Sequence, residues 1–360
     1  MNQNGIFVGQ GAVINASSFL ATTAEANPSS FMRGEALSMV AASDAGIRNE
    51  GTIRADGGSI HLLSKHVENL GKLEAPEGTV GLYAGNRFYL EQDTGGPIRV
   101  RIDMDSSTSG SRAGFGVDQQ GIIRAARVNL EANGNIYALA IQQSGLVEAT
   151  GFITRQDGTV VLSAPGGKIL QSGTMLAKNS DGSGGQMELR GADVELDLGS
   201  ILTASGSGVG SGGGAITIES QGTSLVRGQL DVSSVSGQGG RLVVTGQRVG
   251  FLEGTMSASG GSGGGEVLLG GDYQGGNMEI RNAEATVMGE KARIFADATG
   301  NGDGGKVILW SEDYTGFYGQ LFARGGPEGG NGGFIETSSK NNLQAYGFAN
   351  ASAMAGLGVS

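Results

Sequence analysis

"GTIRADGGSIHLLSKHVENLGKLEAPEGTVGLYAG" runs from Gly51 to Gly85 and states one pattern twice. Gly51-Thr52-Ile53-Arg54-Ala55, then Gly58-Ser59-Ile60-His61-Leu62, returns as Gly71-Lys72-Leu73-Glu74-Ala75, then Gly78-Thr79-Val80-Gly81-Leu82, at an offset of 71 − 51 = 20. The template is Gly-x-apolar-x-Ala/Ser, a glycine-rich spacer, and Gly-x-apolar-x-apolar. Further copies follow, among them Gly145 to Ala149 with Gly158 to Leu162, Gly228 to Val232 with Gly240 to Val244, and Gly319 to Ala323 with Gly333 to Thr337. Alternating apolar positions rich in β-branched residues predict two or three short strands per copy. No single copy carries enough apolar surface to fold alone. Stacked copies would bury a continuous column of Ile, Leu, Val and Met, which makes the expected fold all-β, a parallel β-helix or β-solenoid.

Composition agrees. Of 360 residues, 69 are glycine, about 19% against the usual share of about 7%. Collagen is excluded because glycine does not recur at every third position and only 5 prolines are present. With 38% apolar residues in ordered recurrence, the chain is not compositionally disordered either. A net charge of -11 repels nucleic acid and anionic lipid, so neither is expected as a partner. The absence of cysteine removes disulfides, thiolate metal sites and cysteine nucleophiles together. No apolar run approaches the length of a membrane helix, and Met1 is not followed by a signal peptide, so the chain is expected either to stay in the cell or to have its export signal upstream.

Two regions leave the template. In residues 93–120, "GGPIRVRIDMDSSTSGSRAGFG" alternates Ile98, Val100, Ile102 and Met104 with charged residues before a Ser/Gly loop. It reads as an excursion with one apolar face laid on the coils and its tip exposed. Residues 346–360 lose the pattern and read as a cap or a point of truncation. The expected organisation is therefore an N-terminal element over 1–45, first repeats over 46–92, the excursion over 93–120, and repeats over 121–345.

"NQNGIFVGQGAVINASSFLATT", Asn2 to Thr23, differs from the later repeats. It resembles the second half of the secretion domain of two-partner secretion exoproteins of the filamentous haemagglutinin type, whose Asn-Pro-Asn-Gly-Ile signature is matched here by Asn2, Gln3, Asn4, Gly5 and Ile6, with Asn15 at the later asparagine. Gln3 departs from the family's proline, which relaxes the turn because proline presets one backbone angle. "SSFMRGE" resembles the family's next element, and "GGDYQGGN" and "ARGGPEGGNGGFIETSSK" its glycine-rich repeats. The resemblance implies a right-handed parallel β-helix, export unfolded through a dedicated outer-membrane barrel transporter, and display outside a Gram-negative cell. It also implies that the sequence starts within the secretion domain, with the signal and the domain's first half upstream.

Candidate chemistry is sparse. His61 and His66 are separated by five residues and would face opposite ways on one strand, which argues against a shared metal. Asp103 and Asp105 share a face at a spacing of two and suit calcium or an acid pair, although Arg99 and Arg101 neutralise them. "NSDGSGG" and "GNGDGG" occur singly rather than as tandem nonapeptides, and no phosphate loop is completed by Gly-Lys-Ser/Thr, so no cofactor is expected. Tyr273, Trp310, Tyr314, Phe317 and Tyr318 either form a sugar-stacking patch or cover turns and fill the interior. The expected function is a non-enzymatic secreted adhesin or matrix filament with a host-cell or glycan receptor. The alternatives are a β-helical polysaccharide lyase or hydrolase, and the stalk of a larger toxin or adhesin.

Overall fold

The computed structural model describes residues 1–26, 32, 37–92, 98–103, 112–133, 137–151 and 157–353. It is all-β, parallel and solenoid-like, and divides into two compact units. The first comprises Met1–Glu148, Val161–Gly173 and Arg190–Ala192; the second comprises Ala149–Val160, Thr174–Leu189 and Asp193–Ser360.

In the first unit each coil has three strands, and every strand lies parallel to its counterpart in the next coil. The 20-residue echo is a direct stacking contact: Lys72, Leu73 and Glu74 sit on Thr52, Ile53 and Arg54, and Val80 and Leu82 sit on Ile60 and Leu62. Below them, Val13–Ala16 pairs with Thr52–Ala55 and Phe19–Thr22 pairs with Ile60–Ser64. Above them, Leu73 and Leu82 meet Ile123 and Leu130. Ile53, Leu73 and Ile123 thus form one inward column and Leu62, Leu82 and Leu130 another, all fully buried.

A polar column runs beside the apolar ones. The strand Ile47–Asn49 pairs with Val67–Asn69, which pairs in turn with Val117 to Gln119, then Ile141 to Gln143, then Ile169 to Gln171. The last residue of each of these, Asn49, Asn69, Gln119, Gln143 and Gln171, is wholly buried. Asn49 Nδ2 donates to Asn69 Oδ1 at 2.7 Å, and Asn69 Nδ2 donates to Gln119 Oε1 at 2.7 Å. Gln119, Gln143 and Gln171 each donate to the carbonyl of the glycine two residues on, at 2.9, 3.2 and 2.9 Å. Those glycines turn the corner against each other. A Cβ on Gly71 would be driven into the Gly51 carbonyl and would stand 2.7 Å from the Glu50 carbonyl carbon. Only a residue without a side chain lets successive corners approach so closely.

Residues 112–119, assigned on sequence to the 93–120 excursion, belong instead to this parallel stack. The excursion proper is part of a four-stranded antiparallel sheet, Glu25–Ala26, Leu37–Val40, Arg87–Gln92 and Ile98–Ile102. Its inner residues Met39, Phe88 and Ile102 close over Leu63 and Tyr83, which point outward from the coil. Outward apolar residues need a cover, and this sheet supplies it.

Beside that cover, Glu131 lies in register with Tyr83. Burial raises its carboxyl to about 7 and also pushes the Tyr83 hydroxyl up. Below about pH 4.5 both folded and unfolded chains hold this proton; between there and about 7 only the folded chain does, so stability falls as pH rises through that window and stays lower above it. Glu131→Gln is therefore expected to raise the urea midpoint at pH 8, with a gain on the order of 2 kcal/mol, and to leave it unchanged at pH 4. Equal gains at both values would show that the carboxyl is ionised without cost.

The second unit repeats the plan. Ala215–Ser220, Arg241–Thr245, Glu266–Leu269, Lys306–Leu309 and Phe334–Thr337 stack in parallel, so that Ile216, Leu242, Val267, Val307 and Ile335 form a column. A second column joins Met175, Leu202, Leu230, Met256, Ile294 and Leu321. On the outer face of the first sheet, Val243, Leu268, Ile308 and Trp310 pack under Ile280. The loop from Gly270 to Glu284 carries Ile280 and includes the 3-10 turn Tyr273–Gly275, capped by Asp272.

Candidate functional site

The residues singled out at the N-terminus form one small exposed turn at the head of the first unit. Gly5 N–H donates to Asn2 O at 3.3 Å, closing a four-residue turn, and Asn4 N–H donates to Asn2 Oδ1 at 3.0 Å. Gly5 has φ +106°, a conformation other residues adopt only with strain. The turn is tied down from both sides. Asn2 N–H donates to Thr22 O at 3.1 Å, Ser43 Oγ donates to Gln3 O at 2.6 Å, and Ile6 N–H donates to Gly46 O at 3.1 Å. The turn closes with glutamine at its second position, because the hydrogen bonds fix what proline would preset. The side chains of Asn2, Gln3 and Asn4 are exposed, as is Asn15, which sits opposite Arg54 on the adjoining strand. Most of these anchors are backbone groups, so the exposed Asn4 side chain can be changed without disturbing what holds the turn.

Of the two candidate carboxylates, Asp103 is engaged by its own sheet. Asp103 accepts from Arg87 and from Tyr89 Oη, both at 3.3 Å, and its backbone carbonyl accepts from Asn133 at 3.1 Å, so it secures the end of the antiparallel sheet. Asp105 lies outside the described residues, as does most of "SSFMRGE". His61 is buried against Tyr83, ring centres 5.9 Å apart, whereas His66 Nδ1 lies 2.7 Å from Phe115 O with its ring edge-on to Tyr137. The two histidines sit in separate surroundings. In "NSDGSGG", Asp181 accepts from both the N–H and the hydroxyl of Ser183, which hold its carboxyl below the usual range and make the loop a self-tied turn. Among the described residues no group of three histidine, aspartate or glutamate side chains is placed to hold a metal, and no helix is long and apolar enough to cross a membrane.

The aromatic residues divide. Trp310 and Phe317 are buried. Tyr314 and Tyr318 share a hydroxyl contact of 2.9 Å and both donate to Gln344. Tyr273 is half exposed and meets Phe334 edge-to-face at 5.6 Å. Phe334 stands at the end of a feature that the residue pattern did not announce, a groove of about 750 Å³ within the second unit. Successive coils cross its floor on paired glycines, 213–214, 239–240, 264–265, 304–305 and 332–333. One rim is a charged row in register, Arg241, Glu266 and Lys306, which ends on Phe334. Arg241 pairs with Glu266 at 2.6 Å; Lys306 pairs with Glu266 at 3.1 Å and with Asp272 at 2.6 Å. Partial burial disfavours the charged form of Asp272, but hydrogen bonds from Lys306, Asn277 and the Tyr273 N–H outweigh it and hold the carboxyl at about 2. The stabilisation this supplies is present above about pH 4 and lost as pH falls through 2. Asp272→Asn is accordingly expected to loosen the Tyr273 turn and red-shift the emission of Trp310, the single tryptophan, at neutral pH; an unshifted spectrum would show that Ile280 packing alone holds the loop.

Comparison with known proteins gives the first unit a counterpart. Residues 1–176 match the family model of the TPS secretion domain, well beyond the 1–45 element expected from the N-terminal signature. The match supports a two-partner-secretion exoprotein, exported from a Gram-negative bacterium with a transporter of that type in the outer membrane. Among solved structures, the HMW1 secretion domain from Haemophilus influenzae is similar at 20% identity, with 97% of this chain and 78% of that chain covered and a TM-score of 0.44. No curated protein matched.

Proposed function

We propose that a chain opening on a TPS secretion domain serves as a filamentous exoprotein of the haemagglutinin type, an adhesin or extracellular matrix element at the surface of a Gram-negative bacterium. The turn of Asn2, Gln3, Asn4, Gly5 and Ile6, together with the exposed Asn15 on the strand Val13–Ala16, is read as the element an outer-membrane barrel transporter recognises. The coils, wound right-handed, present outward side chains to a host-cell or glycan receptor. The observation that carries this reading is the secretion-domain match over residues 1–176, with an exposed, backbone-anchored turn at its head. The hydrolase reading draws no support from Asp103, whose carboxylate is engaged by Arg87 and Tyr89.

The test is secretion. Expressed behind a secretory signal peptide, the protein is expected in the medium only when a two-partner transporter is co-expressed. Asn4→Ala is expected to reduce secretion to background while leaving the urea midpoint of the purified chain unchanged, since the side chain it removes is exposed. Secretion that persists without the transporter, or is indifferent to Asn4, would overturn the reading.

A further inference from the structure

We infer that the glycine-floored groove of the second unit binds an extended, uncharged oligosaccharide, which runs across the coils with about one sugar per coil and stacks on the Phe334–Tyr273 pair. The inference deepens the surface-display reading by naming a ligand class and a place for it.

Three observations carry it. The first is spacing. Five glycine pairs cross the floor in successive coils, and parallel strands repeat every ~4.8 Å, so the crossings span about 19 Å. That pitch is close to the advance per residue of an extended pyranose chain, which lets one contact pattern recur along the ligand. The glycines put no side chain on the floor, and alanine cannot replace them, because a Cβ on Gly239 would be driven into the Ala258 carbonyl of the neighbouring coil and one on Gly264 into the Ala296 carbonyl.

The second observation is charge. The ionic side chains that line the groove are Arg241, Lys306, Glu266 and Asp303, two of each sign. The cations are already engaged by Glu266 and Asp272, and Asp303 accepts the Asn331 N–H at 2.6 Å. A polyanion would find no net positive field, and an isolated cation no free carboxylate pair. A ligand made of hydroxyl groups, which donate and accept without net charge, suits such a rim.

The third is the aromatic pair. Phe334 and Tyr273 are 46% and 49% exposed although their rings touch. The loop that carries Tyr273 is anchored by the Asp272–Lys306 bridge and by the Gln274 N–H, which donates to Glu336 at 3.3 Å. An anchored, half-exposed ring pair at the end of a polar trough offers an apolar platform to the carbon-bound face of a sugar.

The experiment titrates the full chain with cellohexaose, a neutral extended hexasaccharide, following the emission of Trp310, which packs beneath the Tyr273–Gly275 turn. Binding is expected, and both Phe334→Ala and Tyr273→Ala are expected to weaken it about tenfold, with Phe334→Tyr retaining it. An unchanged urea midpoint in each variant excludes unfolding as the cause. No binding of cellohexaose to the wild-type chain, or binding indifferent to both alanine variants, would overturn the inference. Preferential, salt-sensitive binding of a heparin hexasaccharide would overturn the choice of a neutral ligand. Because the titration uses purified chain, it separates the two claims. Export that depends on Asn4 without saccharide binding removes the groove alone, and saccharide binding with export indifferent to Asn4 removes the secretion reading alone.

Discussion

Gly71→Ala is expected to lower the stability of the first unit by about 4 kcal/mol or more, enough to abolish its urea transition under conditions where the wild type is folded. The reason is geometric. The added methyl would be driven into the Gly51 carbonyl oxygen and would stand 2.7 Å from the Glu50 carbonyl carbon and 2.8 Å from the Gly51 nitrogen. Those are backbone atoms of the coil below. No rotamer change relieves the overlap, and the corner can move only by breaking the hydrogen bonds that Gly71 and Lys72 make to Asn49 and Gly51. The control is Gly57, where a Cβ would meet nothing within 4 Å. Gly57→Ala should change stability by no more than about 0.5 kcal/mol, with a slight gain from the stiffer unfolded chain. Equal effects at the two positions would mean that glycine serves chain flexibility here, not the close approach of coils.

Asn69→Ala is expected to cost about 4 kcal/mol, nearly as much, for a different reason. Asn69 is the middle rung of the buried amide column. It accepts from Asn49 and donates to Gln119, and all three side chains are wholly buried. Truncation leaves a donor on one neighbour and an acceptor on the other without partners, away from water, and a void between them. The same truncation at Asn4, which is exposed, should leave stability untouched. Urea midpoints of the two variants side by side provide the check. A loss below about 1 kcal/mol at Asn69 would mean that water enters and satisfies the orphaned groups.

Much of this was legible in the residues. Ile53 over Leu73 and Ile60 over Val80 are the alternation of the opening stretch turned into contacts. The amide column left a signal too, since Asn49, Asn69, Gln119, Gln143 and Gln171 each stand two residues before a corner glycine. That signal is a polar residue type at a fixed offset, which a search for apolar periodicity passes over. The covers were harder to see because alternation reports only that one face is buried, not what lies on the other. Leu62-Leu63 and Leu82-Tyr83-Ala84 are apolar at both parities, as are Leu242-Val243-Val244 and Val307-Ile308-Leu309-Trp310. Runs of that kind mark strands buried on both faces. In the first unit the cover is the antiparallel sheet, whose Met39 and Phe88 come together from 49 positions apart; in the second it is the loop that carries Ile280. Each cover begins just after one strand that it lies on, Arg87–Gln92 after Ala84 and the loop after Leu269, yet it also joins residues distant in the chain, Met39 in the first and Val243 in the second. The groove was illegible for the same reason, because Tyr273 and Phe334 are 61 positions apart and meet only through the folded loop.

The corner glycines of the first unit, Gly51, Gly71, Gly121, Gly145 and Gly173, are stacked evenly in space but not in sequence. Their intervals are 20, 50, 24 and 28 residues. The interval of 50 contains two strands of the antiparallel sheet, yet Leu73 and Ile123 meet across it as closely in register as Ile53 and Leu73 do across the interval of 20. Chain length and core registration are therefore independent variables in this architecture. A gene encoding it can gain or lose tens of codons at a corner, and with them a new surface, without any compensating change in the residues of the core.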